Sequence, residues 1–450
     1  MQPNIILIIT DHFRRDALGS KTPNLMKLAD RGAVFHNAYC ASPLCQPARN
    51  CIITGLHNFQ HKVCGNMSTP ITEELRSDTF MHHLRNAGYS TAMIGKHHYI
   101  DRYGIGMDAK EDHEDILAYG FDHVVQVLDD SETMHNDDDY TAYLEKKGML
   151  KAFRDSWKTH LPKYSHPFEE DDSADGFIGK TGVEYVRDIS TDKPFYLNLG
   201  FIGPHPPLWH PGELTVKPED MDTPLGGENV EYAQMRRAHY TEKCALIDRY
   251  IGKLTAALEE RNLIENTVII FTSDHGDNLG DYGIWDKRFF YEQSAGVPLV
   301  MAGPGITRGA RELRQKDAKA LASHLDLYPT ILKLAGSPEE TWAGKPGKDL
   351  IDMLNERRDS LHSEIVSTLG TAVMIRTGNW KLVYDPEQGG VQHLYNMVTD
   401  PKELDNLAGR AGYETVTAGL IEQLLAYRIR LTQFTHDKEQ QRVQRVRVRC

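Results

Sequence analysis

The 450-residue sequence predicts an α/β protein: a large, mainly parallel sheet sandwiched by helices, with a smaller α+β domain at the C-terminus. Three observations predict it. Short apolar runs rich in Ile and Val alternate with helical patterns through most of the chain, the arrangement that covers a parallel sheet on both faces. The rhythm changes from about Glu364 to short strands followed by one helix. The length also exceeds what one hydrophobic core usually organises, so a large domain and a smaller one are expected.

The first strand is the run at residues 5–9, which leads into Asp11, and a helix is expected near 24–31. A helical pattern near 79–87 precedes a strand at 90–94, which leads to Lys96. Residues 195–201 form a strand ending close to His205, and a long helical pattern over 231–260 precedes a strand at 267–272 that leads to Asp274. In open α/β sheets ligands bind beyond the carboxyl ends of the strands, so these four polar clusters are expected to face one site. Residues 102–180 interrupt the pattern with acidic stretches at 137–139 and 169–172, which read as a solvated insertion or, alternatively, as a rim that selects substrate. Strands at 373–376 and 380–384 and a helix near 415–432 make up the terminal α+β part.

Composition excludes several classes of function. Hydrophobic residues are 40% and charged residues 26%, with no run near the roughly 18 apolar residues a membrane helix needs, so the chain is expected to be soluble and not to span a membrane. A formal net charge of -13 repels phosphate backbones and argues against nucleic acid as a partner. Arg442, Arg445, Arg447 and Arg449 read as a basic chain end. No basic, apolar and small-residue export signal is visible, which favours a cytoplasmic location; a start left after signal removal, in a periplasmic or secreted protein, would look the same. The six cysteines (40, 45, 51, 64, 244 and 450) form no CxxC pair and read as buried thiols, Cys45 excepted.

Cys45-Gln46-Pro47-Ala48-Arg49, followed by Thr54-Gly55, is the strongest local signal. Pro47 suits the first turn of a helix, which places Cys45 at a helix N-terminus where backbone N–H groups favour an anion. Arg49, four residues on, shares its face. Alone, such a cysteine reads more often as a buried or redox thiol than as a catalytic group. Ser273-Asp274-His275-Gly276-Asp277 follows a strand, and the Asp274 carboxylate with that of Asp11 suits a hard divalent cation, while His275 adds a softer nitrogen. In Gly95-Lys96-His97-His98, an extended backbone would point Lys96 and His98 the same way. His205 lies in Gly203-Pro204-His205-Pro206-Pro207, where prolines restrict its loop, and Lys287 closes Gly283-Ile284-Trp285-Asp286-Lys287.

Cys-x-Pro-x-Arg followed by Thr-Gly resembles the signature of the formylglycine-dependent, type I sulfatase family of the alkaline phosphatase superfamily. The resemblance extends from Asn4 to about Ala408, because the other motifs arrive in the family's order, ending with Leu394-Tyr395-Asn396, Thr399-Asp400-Pro401 and Asn406-Leu407-Ala408. It implies an alkaline phosphatase-like catalytic domain over 1–360 and an α+β subdomain over 361–450. It implies that a formylglycine-generating maturation enzyme oxidises Cys45, although Ala48 stands where the family usually has Ser. Asp11, Cys45 in its modified form, Asp274 and His275 would hold calcium, or else manganese or magnesium. Arg49, Lys96 and Lys287 would counter charge on the sulfuryl oxygens, His205 would be the acid for the leaving oxygen and His98 a base. Two further departures are His12, where many relatives have a second aspartate, and Tyr282, where relatives often have His.

The expected activity is hydrolysis of an aryl or carbohydrate sulfate ester, with a small molecule or a glycan as the alcohol and self-association left open. The nearest alternative is a phosphonate monoester or phosphodiester hydrolase on the same scaffold. A non-catalytic anion-binding protein with an unmodified thiol is the reading from another class. His57, His61, Trp209 and His210 are candidates for the rim that selects the alcohol.

Overall fold

The structure, a computed structural model, describes residues 2–101, 106–160, 168–227, 229–306, 320–355 and 361–448. Its strands are β1 (Asn4–Asp11), β2 (Ala33–Val34), β3 (Asn37–Tyr39), β4 (Ser90–Gly95), β5 (His123–Gln126), β6 (Phe195–Pro204), β7 (Thr267–Ser273), β8 (Leu299–Ala302), β9 (Leu321–Ser323), β10 (Glu364–Leu369), β11 (Ala372–Thr377), β12 (Trp380–Asp385) and β13 (Gly390–Asn396). Seven of them form one sheet in the order β2-β8-β7-β1-β6-β4-β5. The five from β7 to β5 are parallel, and β8 and β2 close one side antiparallel.

The central strands are apolar on both faces because both faces are covered. Ile5, Leu7 and Ile9 join a core with Phe80, Met81, Leu84, Leu327, Tyr328 and Ile331 from the helices Phe80–Asn86 and Leu327–Leu334. Ile6 and Ile8 point the other way, into a core with Ile178 and Val183 of the helix Ala174–Asp188 and Ile247, Tyr250 and Ile251 of the helix Val230–Glu260. At about 25 cal/mol per Å² of apolar surface, these two layers are the main favourable term in the fold.

The acidic stretch 102–180 is, over its described part, built into this body. It supplies β5, which extends the sheet beside β4, and the helix Ala174–Asp188. The Asp138 carboxylate caps the helix Asp139–Lys146 by accepting from Thr141 N and also takes Leu128 N, while Asp139 takes Gln126 N. Carboxylates that satisfy helix starts and loop amides are distinct from a solvated run, which corrects that part of the sequence reading. Residues 102–105 and 161–167 of the stretch lie outside the described residues.

The four terminal strands make an antiparallel meander in the order β10-β11-β12-β13. Val366, Ile375, Leu382 and Leu394 on one face pack against Leu420 and Leu424 of the helix Glu414–Val448, and Ile365, Met374 and Val383 on the other face join the main core. The side chains of Arg442, Arg445, Arg447 and Arg449 lie outside the described residues. Among the described residues no helix is long and apolar enough to cross a membrane.

Candidate active site

β7, β1, β6 and β4 are consecutive and parallel, so their carboxyl ends open along one edge at a spacing of about 4.8 Å per strand. Asp274 follows β7, Asp11 ends β1, His205 follows β6 and Lys96 follows β4. Sheet order alone therefore gathers four groups that are remote in sequence. The helix Cys45–Thr54 brings residue 45 to the same edge. Leu44 is extended, the helix begins at Cys45, and Gly55 closes it at φ 65° with its N–H on the Cys51 carbonyl. A Cβ at Gly55 would lie 2.8 Å from the Tyr328 ring, so both backbone and space demand glycine there.

Cys45 Sγ lies 3.2 Å from His275 Nε2 and 3.8 Å from Asp11 Oδ1. Burial would raise the thiol, yet Lys287, His275 and Lys96 hold it well below its ordinary value. Residue 45 thus stands where negative charge is stabilised. Arg49 is 1% exposed; it donates from Nε to Asp274 Oδ2 (2.9 Å), from one terminal nitrogen to the Lys96 carbonyl (2.8 Å), and from the other to Asp11 Oδ2 (3.5 Å). It shares the Cys45 helix as expected, but these bonds go to protein oxygens. Its visible work is to hold two carboxylates and the start of the Lys96 loop.

Lys96 is bonded to Asp11 Oδ2 and lies 2.6 and 2.7 Å from the two oxygens of Asp129. Against burial, which lowers it, these carboxylates raise its ammonium above the ordinary range. The extended segment expected from Lys96 to His98 is absent, since Gly95 has φ 99° and His98 φ 49°. His98 is still turned inward. Its Nε2 is 3.1 Å from Asp101 Oδ2, and its buried Nδ1 has no hydrogen-bond partner among the described residues. An Nε2–H donated to Asp101 leaves the Nδ1 lone pair free on the residue 45 side.

Among the described residues, two overlapping donor groups include residue 45, each with ligand atoms within 4.8 Å of one another: Asp11, His12, Cys45 and His205, and Asp11, Cys45, Asp274 and His275. The first already contains a cation. Lys287 Nζ lies 2.6 Å from His12 Nε2 and 3.1 Å from His205 Nε2. His12, at φ 68°, is fixed from behind by Asp277 Oδ2 at 2.8 Å from Nδ1. The second group fits a divalent metal. Although Arg49 bonds both carboxylates, burial and the negative charge of Asp11 still push Asp274 up, so the pair can take further positive charge. His275 Nδ1 lies 2.9 Å from the Gly276 carbonyl, which assigns its proton there and leaves the Nε2 lone pair for the group's centre.

His205 Nδ1 is 2.5 Å from the Pro206 carbonyl, so Nδ1 carries the proton and Nε2 accepts from Lys287. Burial and the Lys287 ammonium push the ring down to about 3. A cavity of about 200 Å³ opens over this edge, lined by Lys96, His98 and His205 together with Asn66, Asp129 and Glu132. Residues 127–132 belong to the acidic stretch, so its alternative reading as a rim is the one the cavity supports.

The four sequence-predicted rim residues are elsewhere. His57 is buried with Nε2 2.8 Å from the Tyr427 hydroxyl, His61 bonds Cys51, Trp209 is buried, and His210 pairs with His239 at 2.8 Å. Tyr282 donates to the Lys402 carbonyl and stacks on Tyr291. Sequence reasoning also missed Asp129, Asp101 and Asp277, the carboxylates that hold Lys96, His98 and His12. Asp277 was visible within the Ser273–Asp277 motif; nothing local marked the other two.

A family model described as Sulfatase matches residues 3–337, and another described as N-sulphoglucosamine sulphohydrolase, C-terminal, matches residues 280–430. The chain is 30% identical to a choline-sulfatase of Rhizobium meliloti (strain 1021), over 93% of this chain and 85% of that one. It is also 30% identical to an arylsulfatase of Clostridium perfringens (strain 13 / Type A), over 92% of each. Among solved structures, a phosphonate monoester hydrolase of Agrobacterium radiobacter superposes with a TM-score of 0.78 at 23% identity, over 95% of this chain and 96% of that one, a likeness of fold.

Proposed function

We infer, since the chain belongs to the sulfatase family of the alkaline phosphatase superfamily and is thereby a sulfuric ester hydrolase, that residue 45 acts as formylglycine beside a divalent metal on an aryl or carbohydrate sulfate. The observation that carries this reading is convergence on residue 45: a helix-start cysteine held toward its anionic form, two buried carboxylates and an imidazole on one side, Lys96, Lys287 and His98 around it. The relatives' names, a choline-sulfatase and an arylsulfatase, and the glucosamine sulphohydrolase match at the C-terminal end support small-molecule and sugar sulfates as the class.

Formylglycine, which a maturation enzyme would make from Cys45, would supply the two hydroxyls of an aldehyde hydrate, one a nucleophile and the other a means of releasing sulfate. Calcium, or manganese or magnesium, would be held by Asp11, Asp274, His275 and residue 45 and would supply Lewis acidity there. The chain's own side chains do the rest. Arg49 fixes Asp11 and Asp274 so that their oxygens converge. Lys96, after β4, and Lys287, in the loop between β7 and β8, approach residue 45 from different loops and share the charge of the sulfuryl oxygens. His98, oriented by Asp101, offers Nδ1 as the base at residue 45, the same division of labour by which a carboxylate orients a catalytic histidine. His205 is the acid for the leaving oxygen. It is neutral beside the Lys287 ammonium, and the anionic ester offsets that ammonium and draws a proton onto Nε2.

Two measurements test the reading. Mass spectrometry of the Cys45 peptide should show a loss of about 18 Da, the change from a thiol side chain to an aldehyde. Lys96→Ala should lower kcat/KM for an aryl sulfate by roughly 10² or more, and for a phosphonate monoester by less, because an organic substituent there replaces one anionic oxygen. A larger loss on the phosphonate, or a wild-type preference for it, would transfer the assignment to phosphonate monoester hydrolysis.

A further inference from the structure

The helix Val230–Glu260 carries an ammonium group that the steps above leave without a task. Lys243 is 1% exposed and lies behind the active site, between the two loops that bear His205 and Lys96's partner Asp129. Its Nζ donates to the carbonyl of His205 (3.1 Å) and to that of Pro207 (3.2 Å). It faces Asp130 Oδ2 at 3.5 Å and Asp175 Oδ2 at 3.8 Å. Asp175 in turn accepts Ile202 N and Gly203 N, each at 2.9 Å, at the end of β6. Asp130 directly follows Asp129, both of whose oxygens hold Lys96.

Burying an ammonium costs several kcal/mol unless it is paired and hydrogen-bonded, and a methionine of similar volume would fill a helix–sheet interface without that cost. The charge is therefore poorly explained by stability. Its bonds instead join three separate pieces of backbone: the His205 loop through two carbonyls, the end of β6 through Asp175, and the Asp129 segment through Asp130.

We propose that Lys243 is a positioning residue for the reaction, its ammonium clamping the 205–207 loop to the Asp130 and Asp175 carboxylates so that His205 Nε2 is presented to the leaving oxygen beside Lys287. This role rests on the reading of His205 as the leaving-group acid. The clamp acts through the two carbonyls it grips. Without them the backbone of the loop keeps Asp175 at Ile202 and Gly203 and the His205 N–H on the Ile202 carbonyl, all upstream of the imidazole, whose Nε2 keeps Lys287. A displacement of about 1 Å is enough to degrade proton transfer strongly.

The test uses the matured, metal-loaded enzyme and a series of sulfate esters from 4-nitrophenyl sulfate, whose leaving group needs little protonation, to an alkyl sulfate, whose leaving group needs it fully. Lys243→Met should change kcat on 4-nitrophenyl sulfate by less than about threefold and lower it on the alkyl sulfate by about a hundredfold, the scale of a general acid. Lys243→Arg should recover most of that loss. Should Lys243→Met fold poorly, the charge-balanced pair Lys243→Met with Asp130→Asn carries the same expectation. His205→Ala on the same series separates the two ideas. If it steepens the leaving-group dependence and the Lys243 variants do not, or lose activity equally on every ester, the clamp is overturned and the acid stands. If His205→Ala leaves the dependence unchanged, the acid reading fails and takes the clamp with it.

Discussion

Removing and restoring a divalent cation tests the metal assignment without requiring turnover. Asp11 and Asp274 are both 0% exposed and share Arg49, yet burial together with Asp11 still raises Asp274, so a cation in the second group would relieve the repulsion between the two carboxylates. A ligand that binds only the folded state stabilises it by about 2.7 kcal/mol at one hundred times its Kd. At an unfolding entropy of about 2.1 cal/mol/K per residue, a 450-residue chain melting as one unit has roughly 0.9 kcal/mol/K. Saturation should then raise Tm by about 3 K. The assay is a thermal melt of chelated protein titrated with calcium, then with magnesium and manganese, with bound metal counted by mass spectrometry. Asp274→Asn keeps the shape and removes one charge, so its rise should fall below about 1 K. An undiminished rise in Asp274→Asn, or none in wild type with metal demonstrably present, would refute the assignment of Asp11, Asp274 and His275.

Cys45→Ala should abolish sulfate-ester turnover with Tm nearly unchanged, and Cys45→Ser should be severely impaired because a single hydroxyl has no partner to release sulfate; activity within tenfold of wild type in either would remove residue 45 from the mechanism. Away from the site, Lys381 is bonded to Glu292 at 2.5 Å and Glu403 at 2.6 Å in a buried cluster, so Lys381→Met should cost about 3–5 kcal/mol in urea unfolding, the scale of a buried carboxylate deprived of its partner. Burial raises Glu292, but Lys381 and Arg15 outweigh it and depress the carboxyl. Its contribution to stability is therefore complete above the unfolded value of about 4.3 and is lost as pH falls toward the folded one. Glu292→Gln should flatten the acid limb of the stability curve below about pH 5, and an unchanged limb would show that the pair does not set it.

The parallel sheet was legible because each buried strand is an unbroken apolar run that stops at a polar residue: Ile5 to Ile9 before Asp11, and the run before Asp274. Strand ends in such a sheet face one edge, so Asp11, Lys96, His205 and Asp274 could be grouped before any coordinate was known. The partners of those groups could not. Asp129 reads in sequence as one more acidic residue of a solvated stretch; only β5, laid beside β4, carries it onto Lys96. His57 and His61 read as exposed rim residues because nothing local shows that the helix Glu414–Val448, through Tyr427, covers His57, or that His61 turns inward to Cys51. Lys243 lies in an ordinary helical pattern, and its burial follows from what packs on that helix. The signals missed were those of tertiary pairing, which leaves no periodicity in the chain.

Charge balance within the site bears on which anion it suits. Lys96 is shared between Asp11 and Asp129. If a divalent cation takes up Asp11, the ammonium remains half-neutralised by Asp129 and is left with a partial charge to offer. Lys287 is likewise partly engaged, by His12, which Asp277 backs, and by His205. Two moderated ammonium groups and a metal suit a monoanion better than a phosphate monoester dianion, whose second charge would find no unpaired cation among the described residues of the site. A sulfate ester and a phosphonate monoester are both monoanions, so net charge does not separate them. The distribution of that charge does: three equivalent oxygens in the sulfate can engage the metal, Lys96 and Lys287 together, whereas the phosphonate has two and turns a carbon substituent toward one of the three. Lys96, reached from β4 and facing the cavity, is the group whose contact the carbon would remove. That is why the substitution at Lys96, rather than one at the metal or at Lys287, divides the two chemistries.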